Sequence, residues 1–68
     1  MAISITLNGE ARNVSAPMSV ASLLAELGLK PVKIAVERNL AIVPRSTYGE
    51  VVVEDGDRLE IVHFIGGG

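Results

Sequence analysis

The 68-residue chain has 49% hydrophobic residues, no cysteine, one histidine and a net charge of -2. Without thiols it has no disulfides, and one histidine is too few for a structural zinc site. No apolar run approaches the ~18 residues of a membrane span, and no basic segment followed by an apolar one opens the chain. We therefore expect one soluble, cytoplasmic domain over residues 1–68, stabilised by a dense aliphatic core.

Charge is divided unevenly along the chain. Residues 1–45 hold five basic and three acidic side chains, whereas residues 46–68 hold one basic and five acidic side chains. An acidic C-terminal third disfavours nucleic acid as a ligand and favours a partner with a basic docking surface. An ordinary solvated surface has the same composition, so this pattern alone leaves both interpretations open.

The first predicted element is a β-hairpin. Residues 3–7 alternate between apolar and polar side chains, which is typical of a strand with one buried face. Asn8-Gly9 follows, and this dipeptide supplies the two positive φ values of a tight hairpin turn. We expect residues 10–14 to return as the second strand.

A helix is predicted next. Ser19 is placed to cap it, and Gly28 is placed to end it in a left-handed conformation. Between them the apolar residues have helical spacing and form one stripe: Val20, Leu23, Leu24 and Leu27. So short a helix needs tertiary packing, which implies that it lies across a sheet.

Four further strands are predicted in the second half. Val32, Ile34 and Val36 fall at alternate positions and predict one strand; residues 40–43 predict another, which Pro44 confines to an edge. Residues 45–50 form an irregular crossover and residues 51–53 a short strand, before a turn at residues 55–57. The last strand, residues 58–65, has apolar side chains on both faces, which favours a central position.

The order of these elements predicts the fold. Two strands, a helix and then further strands, with the last strand central beside the first, is the order of an α+β, ubiquitin-like β-grasp domain. We expect a mixed sheet of four to five strands with one main helix packed across it.

The side chains do not favour catalysis. The only histidine, His63, lies inside a predicted strand, where we expect a partly buried structural residue, and no spacing pairs it with Ser15 or Ser46 as a nucleophile. The acidic residues at 54–57 lack the spacing of an EF-hand and suit a turn, so no metal site is expected. We expect Tyr48 to pack against the core, whereas Arg45 is either a docking residue or a solvated charge.

The chain ends in Ile65-Gly66-Gly67-Gly68 directly after the last predicted strand. Ordering three glycines costs about 3–6 kcal/mol with no side chain to bury in return. We therefore expect residues 66–68 to be a flexible tail, thin enough for a narrow channel in a partner and ending in the Gly68 carboxylate. A frayed terminus or a linker has the same composition.

Several segments together resemble one family. The chain is similar to the ThiS family, the sulfur carrier proteins of thiamine biosynthesis, over its whole length. The resemblance rests on these segments: Leu7-Asn8-Gly9-Glu10, Ala35-Val36-Glu37-Arg38-Asn39, Val43-Pro44-Arg45-Ser46, Asp55-Gly56-Asp57-Arg58-Leu59-Glu60-Ile61-Val62 and Gly66-Gly67-Gly68.

The resemblance implies a carrier rather than an enzyme. An adenylyltransferase of the ubiquitin-activating type would use ATP to adenylate the Gly68 carboxylate, and the carrier itself would bind no cofactor. Sulfur drawn from cysteine through a cysteine desulfurase would then give a thiocarboxylate, which thiazole synthase would use to build the thiazole of thiamine. Gly66 and Gly67 would enter both partners, and Phe64 and Ile65 would anchor the tail.

Three alternatives are open. The small subunit of molybdopterin synthase has the same fold and chemistry, but it tends to be longer and to carry a Pro-Pro step where this chain has His63-Phe64-Ile65. A ubiquitin-like modifier conjugated to lysines would give conjugates of higher mass. A β-grasp binding module would keep its activity after the loss of Gly68.

Overall fold

The computed structural model describes residues 2–63; Met1 and residues 64–68 lie outside the described residues. One helix packs on a mixed five-stranded sheet, and a separate two-stranded sheet lies beside them. The elements are β1 (Ile3–Leu7), β2 (Glu10–Val14), β3 (Met18–Ser19), α1 (Val20–Glu26), a 3-10 helix (Pro31–Lys33), β4 (Ile34–Arg38), β5 (Ala41–Val43), a second 3-10 helix (Arg45–Thr47), β6 (Val52–Val53) and β7 (Arg58–His63).

The sheet order confirms the predicted β-grasp. The large sheet runs β2-β1-β7-β4-β5, and the small sheet pairs β3 with β6. β7 is parallel to β1 and antiparallel to β4, so the last described strand is central beside the first, as predicted. The sheet is mixed because β1–β7 is its one parallel pair among the described strands.

The core lies between α1 and one face of the large sheet. Val20, Leu23 and Leu24 of α1 are each no more than 2% exposed, and they pack in one cluster with inward residues of the strands, such as Ile5 and Leu59. Burying an aliphatic side chain of this size stabilises the fold by roughly 1.5–3 kcal/mol. The stripe predicted from the sequence is therefore the surface that holds the helix on the sheet, with Leu27 at its partly buried margin.

Both ends of α1 are capped as predicted. The Ser19 Oγ accepts a hydrogen bond of 3.1 Å from the Ser22 N–H at the N-terminus. At the other end Gly28 has φ 74°, and the Leu29 N–H donates to the Leu24 carbonyl at 2.9 Å. This is a Schellman ending, which needs a residue that adopts the left-handed conformation.

The predicted position of Val32 in a strand is wrong. Residues 31–33 form a 3-10 helix, and Val32 is 63% exposed. Pro31, with its fixed φ, occupies the first position of that helical turn, where its missing N–H costs nothing. The strand therefore starts at Ile34.

None of the helices among residues 2–63 is long and apolar enough to cross a membrane.

The two hairpins of the large sheet use the same turn with different residues. Asn8-Gly9 joins β1 to β2 with φ values of 50° and 84°, as predicted, and Asn39-Leu40 joins β4 to β5 with φ values of 51° and 72°. Leu40 was expected in a strand, but it occupies the position at which the first hairpin has glycine. Its side chain is 77% exposed, so packing does not offset its left-handed backbone.

Leu40→Gly should therefore stabilise the fold. The left-handed backbone of a non-glycine residue costs roughly 1–2 kcal/mol, whereas glycine adds an entropic cost of about 0.5–1 kcal/mol. The unfolding free energy in urea should rise by up to ~1 kcal/mol, which moves the thermal midpoint by several degrees. Leu40→Ala is the control, because alanine removes the exposed side chain but keeps the Cβ. An equal gain in both variants would show that backbone strain is not the cause.

Candidate functional site

The central strand leads directly to the predicted site. β7 ends at His63, and the sequence continues from there into residues 64–68. The predicted tail and site residues, Phe64, Ile65, Gly66, Gly67 and Gly68, lie outside the described residues, so their roles stay predictions. The structure does define the strand from which they follow.

On the side facing β1, the C-terminal part of β7 is held by one side-chain amide. β1 pairs with β7 only as far as Leu7 and Leu59. Beyond that point the Asn8 N–H donates to the Leu59 carbonyl at 2.9 Å. The Asn8 side chain then binds both peptide groups of Ile61: its Oδ1 accepts from the Ile61 N–H at 2.7 Å, and its Nδ2 donates to the Ile61 carbonyl at 3.3 Å.

The N-terminal end of β7 is held by a carboxylate. Asp57, the residue before the strand, is 7% exposed, and its carboxylate accepts three hydrogen bonds. They come from the Arg38 Nε at 2.7 Å, the Glu54 N–H at 2.8 Å and the Asn39 Nδ2 at 3.2 Å. The Asn39 Oδ1 in turn accepts from the Arg58 N–H at 2.9 Å.

These contacts set the ionisation of Asp57. Burial alone would raise the pKa of its carboxyl, but the hydrogen bonds from Arg38, Glu54 and Asn39 and the charge of Arg38 outweigh burial and lower the pKa below its usual value. The sequence identified these acidic residues as a turn, and the structure confirms that. The sequence did not reveal Arg38 as the partner of Asp57. The one available signal was that Arg38 follows buried Ile34 and Val36 at alternate positions of β4, which puts it on the same face of the strand.

The face of the large sheet opposite α1 is open in residues 2–63. Val62 and Ile42 on this face are 60% and 64% exposed. Glu37 and Glu60 are directly opposite each other on β4 and β7, and neither forms a salt bridge within the described part of the chain. The central position of β7 was thus predicted correctly, but its second apolar face is not covered by these residues.

Three other residues considered in the sequence have different outcomes. Tyr48 is 5% exposed and belongs to the core, as expected. His63 is exposed, so the prediction of a partly buried histidine is wrong. It pairs with Ile34 at the last described position of the ladder between β4 and β7. Arg45 is exposed, which leaves both of its interpretations open.

The described side chains form no candidate metal site. No group of three or more His, Cys, Asp or Glu residues between positions 2 and 63 is placed to hold a metal ion. The carboxylates of the acidic turn are already engaged, since Asp55 accepts a hydrogen bond of 2.8 Å from the Ser4 N–H and Asp57 accepts three.

Comparison with family models matches residues 5–68 to the ThiS family. The chain belongs to the ThiS family. The crystal structure of a thiamine biosynthesis protein (ThiS) from Geobacter metallireducens is similar with a TM-score of 0.85 and 30% identity, over 97% of this chain and 100% of that one. This similarity confirms the β-grasp fold.

Relatives in the family differ in length. The sulfur carrier protein ThiS of Escherichia coli is 32% identical over 66 residues, which are 97% of this chain and 100% of that protein. A thiazole synthase of Paramagnetospirillum magneticum is 61% identical over 66 residues, which are 97% of this chain but 20% of that protein. The chain thus spans about a fifth of the length of that relative.

Asp57→Asn should destabilise the fold in a pH-dependent way. Because the folded-state pKa of Asp57 is lowered, its contribution is present above the unfolded-state pKa and is lost as the pH falls through the folded-state value. At pH 7 we expect a loss of about 1.5–3 kcal/mol in unfolding free energy, the size of a hydrogen bond to a charged group. The difference in unfolding free energy between the variant and the wild type should disappear as the pH drops below ~3.9.

Glu50→Gln is the matched control for that experiment. Glu50 is exposed and its side chain makes no hydrogen bond or salt bridge within residues 2–63. Urea unfolding of the three proteins between pH 7 and pH 3 measures the effect. A gap between the wild type and Asp57→Asn that is constant over this range would show that the Asp57 charge does not contribute.

Proposed function

We propose that this chain is a sulfur carrier that supplies sulfur for the thiazole ring of thiamine. The observation that carries the proposal is membership of the ThiS family over residues 5–68, in a sequence whose residues 66–68 are glycines that follow soon after β7, the central strand. In this proposal the chain is a co-substrate, and its reactive group is the Gly68 carboxylate.

The chemistry takes place at the carbonyl carbon of Gly68. The carboxylate attacks the α-phosphorus of ATP and releases pyrophosphate, which leaves an acyl-adenylate. The outer sulfur of a persulfide attacks the carbonyl carbon and AMP departs. A thiol then cleaves the sulfur–sulfur bond and is oxidised to a disulfide, so that the terminus is released as a thiocarboxylate. A glycine carbonyl is open on both faces, which suits attack by a bulky persulfide.

The composition of the chain supports this location for the sulfur. There is no cysteine, and the only sulfur atoms are the thioethers of Met1 and Met18. A thioether does not form a persulfide or a thiocarboxylate. No side chain can therefore carry sulfur as a persulfide, which supports the terminal carboxyl as the attachment point.

The partners follow from the steps that the chain leaves to others. An adenylyltransferase of the ubiquitin-activating type supplies the ATP site, and a cysteine desulfurase supplies the persulfide sulfur, in the cytoplasm where ATP and thiols are abundant. Thiazole synthase receives the sulfur. The similarity to proteins named thiazole synthase supports this last partner, because in those proteins the matching segment and the rest of a thiazole synthase form one polypeptide.

Moving the terminal carboxylate by one residue should abolish adenylation without unfolding the domain. Deletion of Gly68, or addition of one alanine after it, displaces the carboxylate by roughly 3.3–3.6 Å along the chain. The measurement is carrier-dependent exchange of pyrophosphate into ATP by the adenylyltransferase, together with the thermal midpoint. We expect loss of exchange and an unchanged midpoint, because glycine has no side chain to bury in the core.

The control adds one alanine ahead of Met1, which lengthens the chain equally and leaves the terminus in place. It should support exchange at the wild-type rate. Full exchange by the variant extended after Gly68 would contradict a role for the terminal carboxylate, and a lowered thermal midpoint in that variant would contradict a tail outside the core.

A further inference from the structure

We propose that Asn8 is a positioning residue for the reactive terminus: its side-chain amide takes the place of a strand neighbour and fixes Ile61 in β7, the strand that precedes the terminus in the sequence. This inference rests on the proposed function. It assigns to Asn8 a part in the transfer reaction, beyond its place in the hairpin turn.

The register shows why a substitute for a strand is needed. β1 ends at Leu7 opposite Leu59, whereas β7 continues to His63. β4 remains paired with β7 throughout, up to Ile34 opposite His63. On the β1 side, however, no described strand lies beside β7 beyond Leu59. The Asn8 amide fills the next step of that ladder with one donor and one acceptor.

The geometry of this contact is that of a peptide group. The Ile61 N–H donates to the Asn8 Oδ1 at 2.7 Å, and the Ile61 carbonyl accepts from the Asn8 Nδ2 at 3.3 Å. A primary amide is the one short side chain that offers both atoms in a plane. Asn8 has φ 50°, a left-handed conformation that asparagine tolerates, and this directs the side chain past the end of β1.

Fixing Ile61 limits the region that the terminus samples. Only six residues lie between Ile61 and Gly68. If the end of β7 frays from the sheet, the free segment lengthens and the effective concentration of the carboxylate in a partner's channel falls. Docking through the rest of the domain would be unaffected. Loss of the Asn8 amide should therefore lower kcat for adenylation much more than it changes KM for the carrier.

Asn39 provides a matched control within the same chain. It has φ 51°, it is also the first residue of a two-residue hairpin loop, and its amide also binds β7, where its Oδ1 accepts from the Arg58 N–H at 2.9 Å. The two asparagines differ in the part of β7 that they bind. Asn39 binds Arg58, the first residue of the strand, whereas Asn8 binds Ile61, which is near its last described residue. A purely stabilising amide would have equal effects at the two ends.

The test compares Asn8→Gly, Asn39→Gly and Asn8→Asp with the wild type. Glycine keeps the left-handed backbone and removes only the amide. Carrier-dependent pyrophosphate exchange is measured below the thermal midpoints of all four proteins. For Asn8→Gly we expect kcat to fall about tenfold with KM within about twofold, whereas Asn39→Gly keeps kcat within about twofold. Asn8→Asp should retain more of the rate, because its carboxylate still accepts from the Ile61 N–H.

Amide hydrogen exchange at Ile61 gives a readout independent of the enzyme. It should accelerate in Asn8→Gly and stay unchanged in Asn39→Gly. Equal losses of kcat in the two glycine variants, or a wild-type kcat in Asn8→Gly, would overturn the positioning role while leaving the proposed function intact. Absence of pyrophosphate exchange with the wild-type chain would overturn the proposed function, and the role of Asn8 with it.

Discussion

The structure depends on the placement of β7 between β1 and β4. This strand supplies Leu59 and Ile61 to the core, and both are buried under α1. Each of its ends is tied to a hairpin loop by an asparagine with φ near 50°, Asn39 at the start and Asn8 toward the end. The same strand leads into the glycine segment. The strand that contributes to the core therefore also precedes the proposed site in the sequence.

A chain of this length without disulfides or metals has few ways to become rigid. It uses a continuous aliphatic core, complete caps on its helix and a small number of polar contacts that close loops onto strands. Asp57 is the clearest example, since a single buried carboxylate joins the turn before β7 to both Arg38 and Asn39. Such contacts fix the loops of the described domain on its strands.

The sequence predicted local structure well and long-range polar contacts poorly. Asn8-Gly9 and the caps of α1 are local signals, and each was confirmed. Leu40 was wrongly assigned to a strand because it is apolar and adjoins the apolar residues 41–43. In the structure it lies in the hairpin turn before β5. The Arg38–Asp57 pair joins residues 19 positions apart, and no local pattern encodes it. Val32 and His63 were both expected to be more buried than they are. Val32 lies in the 3-10 helix before β4, and His63 lies at the last described position of the ladder between β4 and β7. The predicted tail residues, 64–68, are outside the described chain.

The central claim is that sulfur is carried at Gly68, and the intact mass of the chain tests it most directly. The chain is incubated with ATP, the adenylyltransferase, cysteine and the desulfurase, and its mass is compared with that of the untreated protein, which also establishes whether Gly68 ends in a free carboxylate. We predict a gain equal to the difference between one sulfur and one oxygen atom, confined to the fragment that ends at Gly68. An unchanged mass under conditions in which the Escherichia coli carrier gains sulfur would contradict the account and favour a binding module.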